Sequence, residues 1–134
     1  MPLAEPTARP LILVVDDEPI LRVLLQTALP RSGFDVLLAA DGTDAVDVYR
    51  RHRDRVAVVL MDVNMPGIDG PETLGELQKV NRDVCCCFMT GNAGAYADEE
   101  LRRRGAATVF AKPFDLAELT QSLRRLAGRS RRAA

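Results

Sequence analysis

The chain has 134 residues, of which 47% are hydrophobic and 28% are charged. This length fits one domain, and the formal net charge of -1 excludes a general attraction to nucleic acid or to an anionic membrane. No stretch reaches the roughly 20 apolar residues of a membrane-spanning helix, and the first residues lack the pattern of a secretory signal, so we expect a cytoplasmic domain.

Short apolar runs alternate with segments of helical spacing along residues 11–127, which we predict to be the folded domain. Five runs are typical of strands buried on both faces of a parallel sheet: Leu11–Val15, Phe34–Ala39, Val56–Met61, Val84–Met89 and Ala107–Ala111. A predicted helix follows each run: 19–29, closed by Pro30 and Gly33, then 43–52, 71–80, 96–104 and 116–126. This alternation predicts an α/β domain, a parallel sheet covered by helices on both sides.

The two ends of the chain lack this pattern. Residues 1–10 contain three prolines and are predicted to be a disordered leader, and residues 128–134 are predicted to be a basic flexible tail. For the arginines after Ala117 we favour a solvated helix face over a nucleic-acid patch. The three cysteines, Cys85–Cys87, are consecutive, so strand alternation keeps them from converging on one metal ion, and we interpret them as buried small residues in a reducing cytosol.

Reactive side chains follow four of the five predicted strands, where ligands bind in an open α/β sheet. Asp16 and Asp17 follow the first strand, Asp62 the third, Thr90 the fourth and Lys112 the fifth. Two carboxylates ~4 Å apart repel by on the order of 4 kcal/mol at an effective dielectric near 20, so this edge needs a cation or raised pKa values. Oxygen ligands favour a hard ion such as Mg²⁺, and Lys112 offers a second positive charge to Asp62 or to a phosphoryl oxygen.

Four motifs at these strand ends resemble those of a known family. They are Asp16-Asp17; Asp62 followed by Asn64-Met65-Pro66-Gly67-Ile68-Asp69-Gly70; Thr90-Gly91; and Lys112-Pro113-Phe114. In this order they resemble the receiver domain of two-component response regulators, either a stand-alone chemotaxis-type receiver or one trimmed from a longer regulator. The resemblance implies a flavodoxin-like, doubly wound five-stranded parallel sheet in strand order 2-1-3-4-5 with five helices. It also implies a phosphoacceptor signalling domain that catalyses only its own phosphorylation and dephosphorylation.

The resemblance further implies a role for each matching residue. Asp62 is the nucleophile that takes a phosphoryl group from a sensor histidine kinase or a histidine phosphotransfer protein. Asp17 and Asp62 bind Mg²⁺ directly, Asp16 binds it through water, and the backbone carbonyl of Asn64 completes the protein ligands. Lys112 neutralises charge on the transferring group, and its bond to Pro113 is cis. Thr90 then donates its hydroxyl to the phosphoryl group, and the altered surface controls a downstream protein that the sequence does not identify.

One position departs from the family pattern. Many receivers carry Tyr or Phe three residues before the lysine, whereas this chain has Val109 there and Phe110 one place later, on the opposite face of the strand. The predicted switch residues are therefore Thr90, Val109 and Phe110, without the usual aromatic arrangement. We expect the output signal to run through the loop 91–94 and the helix at 96–104.

Two alternatives remain at this stage. A haloacid-dehalogenase-like phosphohydrolase also uses an aspartyl phosphate and Mg²⁺, but it carries Asp-x-Asp after the first strand, whereas Asp16 and Asp17 are adjacent. A DNA-binding regulator would need a helix-turn-helix, and the eight residues after Leu126 are too few for one.

Overall fold

The computed structural model describes residues 9–91 and 96–133, with side chains up to residue 129, and strands and helices alternate throughout this part of the chain. The elements are β1 (Leu11–Val15), α1 (Pro19–Arg31), β2 (Asp35–Ala39), α2 (Gly42–His52), β3 (Val56–Asp62), α3 (Gly70–Val80), β4 (Cys86–Thr90), α4 (Asp98–Arg103), β5 (Ala106–Ala111) and α5 (Leu116–Ala133). Each predicted strand and helix is present, so the predicted alternation is confirmed.

One end of each of three elements, β4, α4 and α1, differs from the prediction by two residues for local reasons. β4 begins two residues late because the Val84 backbone N–H bonds the Asn81 carbonyl in a turn after α3, at 3.0 Å. α4 begins at Asp98 because Ala97, its N-cap residue, has an extended backbone. α1 continues to Arg31, so Pro30 lies in its last turn and does not end the helix.

The five strands form one parallel sheet in the order β2-β1-β3-β4-β5, which confirms the predicted flavodoxin-like fold. The register sets the last residues of neighbouring strands side by side: Val15 pairs with Met61, and Thr90 pairs with Ala111. The residues that follow β1, β3, β4 and β5 therefore meet at one edge. Among the described helices, none has both the length and the apolar character needed to cross a membrane.

Alternating strand residues build a separate core on each face of the sheet. Leu13 and Val15 face one core, which includes residues of α2, α3 and α4, while Ile12 and Val14 face the other, which includes residues of α1 and α5. Each strand of the sheet interior is thus buried on both sides, as its continuous apolar sequence predicts.

Both ends of the described chain differ from the predicted leader and tail. The Arg9 side chain donates to the carbonyl of Pro30 at 2.6 Å and to that of Phe34 at 3.0 Å, so residues 9 and 10 are fixed against the domain; residues 1–8 lie outside the described part. The predicted flexible tail at 128–134 is helical up to Ala133. An established helix extends at low cost through residues of high helix propensity such as Ala and Arg.

Candidate functional site

Three carboxylates meet at the carboxyl edge of the sheet. One oxygen from each of Asp16, Asp17 and Asp62 lies within 4.8 Å of the others. β1 and β3 are adjacent, so the residues that end them become neighbours although 46 positions separate Asp16 from Asp62. Asp16 is fully buried, Asp62 is 6% exposed, and Asp17 is open to solvent. The structure thus brings together the three acids that the sequence predicts, in a cup with one open side.

The ammonium group of Lys112 contacts three carboxylates. Its ammonium nitrogen is 3.2 Å from an oxygen of Asp16 and 3.5 Å from an oxygen of Asp62. A third contact, 3.5 Å to Glu18, was not predicted from the sequence. The only signal for it was the position of Glu18 directly after the aspartate pair. Glu18 is the N-cap residue of α1, and its carboxylate extends to Lys112.

Backbone contacts fix the lysine in this position. The Lys112 N–H donates to the carbonyl of Thr90 at 2.8 Å, which continues the pairing of β4 with β5. The Lys112–Pro113 peptide bond is cis, as the resemblance implies. The lysine therefore reaches the acids from the end of the sheet's edge strand, two strands away from Asp62.

The electrostatics of the cup favour a cation. Burial raises the pKa of Asp62, and the charge of Asp16 raises it further, while Lys112 and the backbone N–H of Asn64 lower it; the net direction is upward. Burial acts to lower the pKa of Lys112, but the carboxylates of Asp62 and Asp16 outweigh it and raise that pKa. Lys112 is therefore firmly charged, yet its single charge does not offset the acids around it.

The chemistry of the donor set fits Mg²⁺. The clustered ligand atoms are all carboxylate oxygens, the type that Mg²⁺ prefers, and the exposure of Asp17 leaves room for the waters that this ion retains. Asn64, the fourth predicted ligand, lies two residues beyond Asp62, and its N–H bonds the Asp62 carboxylate. Of the predicted ligands, the side chains of Asp16, Asp17 and Asp62 are close enough together to hold the ion.

The predicted switch residues lie on β4 and β5. Thr90 ends β4 opposite Ala111, half-buried, and by strand alternation it shares the face of Phe88. Val109 packs on the core that includes α4, whereas Phe110, 8% exposed, packs on the core that includes α5. The predicted opposite facing of Val109 and Phe110 is confirmed. Of the loop 91–94, residues 92–94 lie outside the described residues.

Gly70 shows how closely α3 packs against β3, the strand that carries Asp62. A Cβ atom placed on Gly70 would lie 2.6 Å from the backbone carbonyl oxygen of Asp62 and 2.9 Å from the ring of Phe88. Its N–H donates to the carbonyl of Val63 at 2.8 Å. A side chain at this position would therefore displace the strand that carries Asp62.

Comparison with known proteins agrees with this geometry. The response regulator receiver domain family matches residues 12–124, so the chain belongs to that family. It is therefore the receiver domain of a signalling protein in two-component systems, and the phosphohydrolase alternative is not supported.

Individual relatives extend the likeness. Sporulation initiation phosphotransferase F of Bacillus subtilis is 32% identical over 114 residues, which cover 85% of this chain and 90% of that protein. A response regulator receiver domain protein from Clostridium thermocellum has a TM-score of 0.87 at 23% identity, covering 92% of this chain and 98% of that one. The receiver domain of sensor histidine kinase PA1611 from Pseudomonas aeruginosa, with magnesium in its active-site cleft, has a TM-score of 0.80 at 33% identity, covering 90% and 99%. Other relatives are longer: the chain spans 24% of the regulatory protein AtoC of Escherichia coli.

Proposed function

We propose that this receiver accepts a phosphoryl group on Asp62, in a Mg²⁺-dependent reaction, from a sensor histidine kinase or a histidine phosphotransfer protein. The observation that carries the proposal is the contact of a nearly buried carboxylate with both an ammonium group and two further carboxylates at the carboxyl edge of the sheet. We also propose that the reaction takes place in the cytoplasm, where the free thiols of Cys85–Cys87 would stay reduced. The signal then passes to a protein partner through a changed surface.

The reaction proceeds by in-line displacement at phosphorus. An oxygen of Asp62 forms the new O–P bond, the P–N bond of the donor phosphohistidine breaks, and its electron pair stays on the imidazole nitrogen. Lys112 is already within 3.5 Å of Asp62, so it can pair with a phosphoryl oxygen after a small movement. Bound Mg²⁺ would neutralise charge on the transferring group and on the acids. Thr90, at the end of the next strand, donates its hydroxyl to the acyl phosphate, and attack by water at phosphorus later regenerates Asp62.

An apolar surface next to the cup suits a protein donor. Ile20, Val23 and Leu24 on α1 are 85%, 62% and 48% exposed, and Leu116 at the start of α5 is 38% exposed. Ile20 follows Asp17 by three residues and Leu116 follows Lys112 by four, so the patch begins at the rim of the site. We assign this patch to docking of the phosphohistidine protein, because Ile20, Val23 and Leu24 share one face of α1 by helical spacing, and a group of exposed apolar residues marks an interaction surface.

The chemistry is tested with small phosphodonors and intact mass. The chain is incubated with phosphoramidate and with acetyl phosphate, each with and without Mg²⁺. We expect one added phosphoryl group, dependent on Mg²⁺ and absent in Asp62→Asn. Asp47→Asn, which alters an exposed aspartate paired with Arg51, is the matched control and should be phosphorylated normally. Equal labelling of the Asp62→Asn chain would place the phosphoryl group elsewhere and contradict the proposal.

Docking is tested separately from chemistry. Ile20→Ser combined with Val23→Ser should slow phosphotransfer from a phosphohistidine protein by tenfold or more, roughly the loss of one to two buried side chains. The same variant should react with phosphoramidate at the wild-type rate, because neither residue contacts the acids. Equal slowing with both donors would show that the patch affects the site itself.

A further inference from the structure

A hydrogen bond joins the segment after β4 to the segment after β3. The hydroxyl of Tyr96, which precedes α4, donates to a carboxylate oxygen of Asp69, the N-cap residue of α3, at 2.8 Å. This hydrogen bond also raises the pKa of Tyr96. β3 ends at Asp62 and β4 ends at Thr90, so the bond connects the two segments that leave the candidate site.

The acceptor side of this bond is firmly held. Asp69 and Glu72 form a reciprocal capping box: each side chain accepts from the other's backbone N–H at 2.9 Å. The next residue is Gly70, which packs against the Asp62 carbonyl without room for a Cβ atom. Asp69 therefore cannot move without shifting α3 and the strand that carries the phosphoacceptor.

The donor side belongs to a small element. α4 has six residues, among which Leu101 is the buried one, and the Arg104 guanidinium lies 5.1 Å from the centre of the Tyr96 ring. At the other end of α4, the amide of Gln78 donates to the Arg104 carbonyl at 2.9 Å and lies where a Cβ atom on Gly105 would clash. The C-terminal end of α4 is thus tightly packed, while the Tyr96 hydroxyl holds its N-terminal end to α3.

We infer that Tyr96 is a positioning residue: its hydrogen bond to Asp69 holds the N-terminal end of α4 in the unphosphorylated chain, and phosphorylation of Asp62 releases it. The inference rests on the proposed function. Thr90 ends the strand that precedes Tyr96 in the chain, so we expect a movement of Thr90 toward a phosphoryl group to change the position of the donor while the acceptor stays fixed. A bond of 2.8 Å is lost beyond about 3.5 Å, so a shift of under ~1 Å is sufficient.

Binding of a phosphoryl group and release of the Tyr96–Asp69 hydrogen bond are thermodynamically linked in this proposal. If binding of a phosphoryl group favours the released state, then releasing the bond by substitution must favour that binding by the same factor. Tyr96→Phe removes the hydroxyl and keeps the ring beneath Arg104. Beryllium fluoride with Mg²⁺ mimics the phosphoryl group in a reversible equilibrium. We expect its half-saturating concentration, measured by fluorine NMR, to fall about three- to tenfold in Tyr96→Phe.

Asp69→Asn provides the matched variant on the acceptor side. Asparagine is as good an N-cap residue as aspartate, so α3 is retained while the hydrogen bond from Tyr96 loses its charged acceptor. We expect a shift in the same direction as for Tyr96→Phe, and little further change when the two are combined. Unchanged binding of beryllium fluoride in both single variants, or fully additive effects in the double variant, would overturn the inference.

The chain's own tyrosines provide a direct signal. It has two tyrosines and no tryptophan, so Tyr49→Phe leaves Tyr96 as the source of emission. A carboxylate that accepts from a phenol quenches its fluorescence. Phosphoramidate with Mg²⁺ should therefore increase the emission in step with the added phosphoryl mass of the same sample, and not in a chain that also carries Asp62→Asn.

The two proposals fail differently in this experiment. A chain that gains the phosphoryl mass with unchanged Tyr96 emission overturns the role of Tyr96 and leaves the proposed function intact. A chain that gains no mass from either small donor overturns the proposed function, and the role of Tyr96 with it. The beryllium fluoride measurement uses the native Tyr49 and so does not depend on the stability of Tyr49→Phe.

Discussion

Asp62→Asn removes a buried negative charge from the site and keeps the shape of the side chain. Burial and the charge of Asp16 hold the pKa of Asp62 above its ordinary value, so the folded chain tolerates the ionised carboxylate less well than the unfolded chain does. Ionisation therefore costs stability as the pH rises from the ordinary pKa of an aspartate to the raised pKa of Asp62, and the full cost applies above the raised pKa. We expect Asp62→Asn to be more stable than the wild type when divalent ions are absent.

The magnitude follows from the distances in the cup. The carboxylate oxygens lie within 4.8 Å of one another, and two unit charges at that limit repel by about 3.5 kcal/mol at an effective dielectric of 20. Buried Asp16 contributes this repulsion, and exposed Asp17 contributes less because water screens it. The ammonium nitrogen of Lys112 lies 3.5 Å from an oxygen of Asp62 and attracts it by about 5 kcal/mol at the same dielectric. The repulsion from the acids and the attraction to Lys112 nearly cancel, so the desolvation of the Asp62 carboxylate decides whether its charge stabilises or destabilises the fold. We therefore expect Asp62→Asn to be more stable than the wild type by about 1–2 kcal/mol, or roughly 3–8 °C in Tm.

Thermal unfolding at neutral pH measures this difference, first with EDTA and then with Mg²⁺. Mg²⁺ at 100 times its Kd should stabilise the wild type by about 2.7 kcal/mol and the Asp62→Asn chain much less. The stability advantage of Asp62→Asn over the wild type should therefore become smaller or reverse. Asp47→Asn should stay within about 0.5 kcal/mol of the wild type under both conditions. A lower Tm for Asp62→Asn in EDTA would refute the argument that uncompensated charge makes this site receptive to a cation.

Three further predictions concern packing and pH. Gly70→Ala should destabilise the fold by about 1–3 kcal/mol in urea unfolding, because the new Cβ atom meets the Asp62 carbonyl. In the control Gly75→Ala, on the same helix, the new Cβ atom has nothing within 4 Å, so this variant should be neutral or stabilising. Equal effects of the two substitutions would contradict the close packing at Gly70. Mg²⁺ affinity, measured by calorimetry, should fall as the pH drops through the raised pKa of Asp62, at a higher pH than an ordinary aspartate would give, because protonation removes the ligand charge. Phe110→Ala should lower the free energy of unfolding by about 3–5 kcal/mol and Val109→Ala by distinctly less, since Phe110 is buried and Val109 is half-buried. The reverse order would contradict the burial of Phe110 and make it a surface element of the switch.

Much of the site could be predicted from the sequence because of the geometry of parallel sheets. Each strand ends at the same edge, so a reactive residue directly after a strand has a predictable place even when its partners are distant in sequence. Asp16, Asp62 and Lys112 illustrate this: 96 positions separate the first from the last, yet Asp16 and Lys112 form an ion pair at 3.2 Å. The opposite facing of Val109 and Phe110 follows from strand alternation in the same way.

Other contacts depend on where whole elements pack. Tyr96 and Asp69 lie 27 positions apart, Tyr96 at the start of a predicted helix and Asp69 in a loop, so no local pattern pairs them. The same holds for Glu18, whose sequence position suits a helix cap but whose carboxylate contacts Lys112. The length of α5 was also missed, because charge and a glycine suggest a tail while helix extension from a packed core costs little.

The sequence by itself therefore determined the α/β alternation, the parallel sheet and the identity of the acids and the lysine at its edge, because short-range periodicity and strand ends are local properties. Tertiary structure alone decided how deeply each carboxylate is buried, which of them Lys112 contacts, and which side chain ties α4 to α3. Those features depend on distances between elements that are remote along the chain, and desolvation and hydrogen bonding change over about 1 Å.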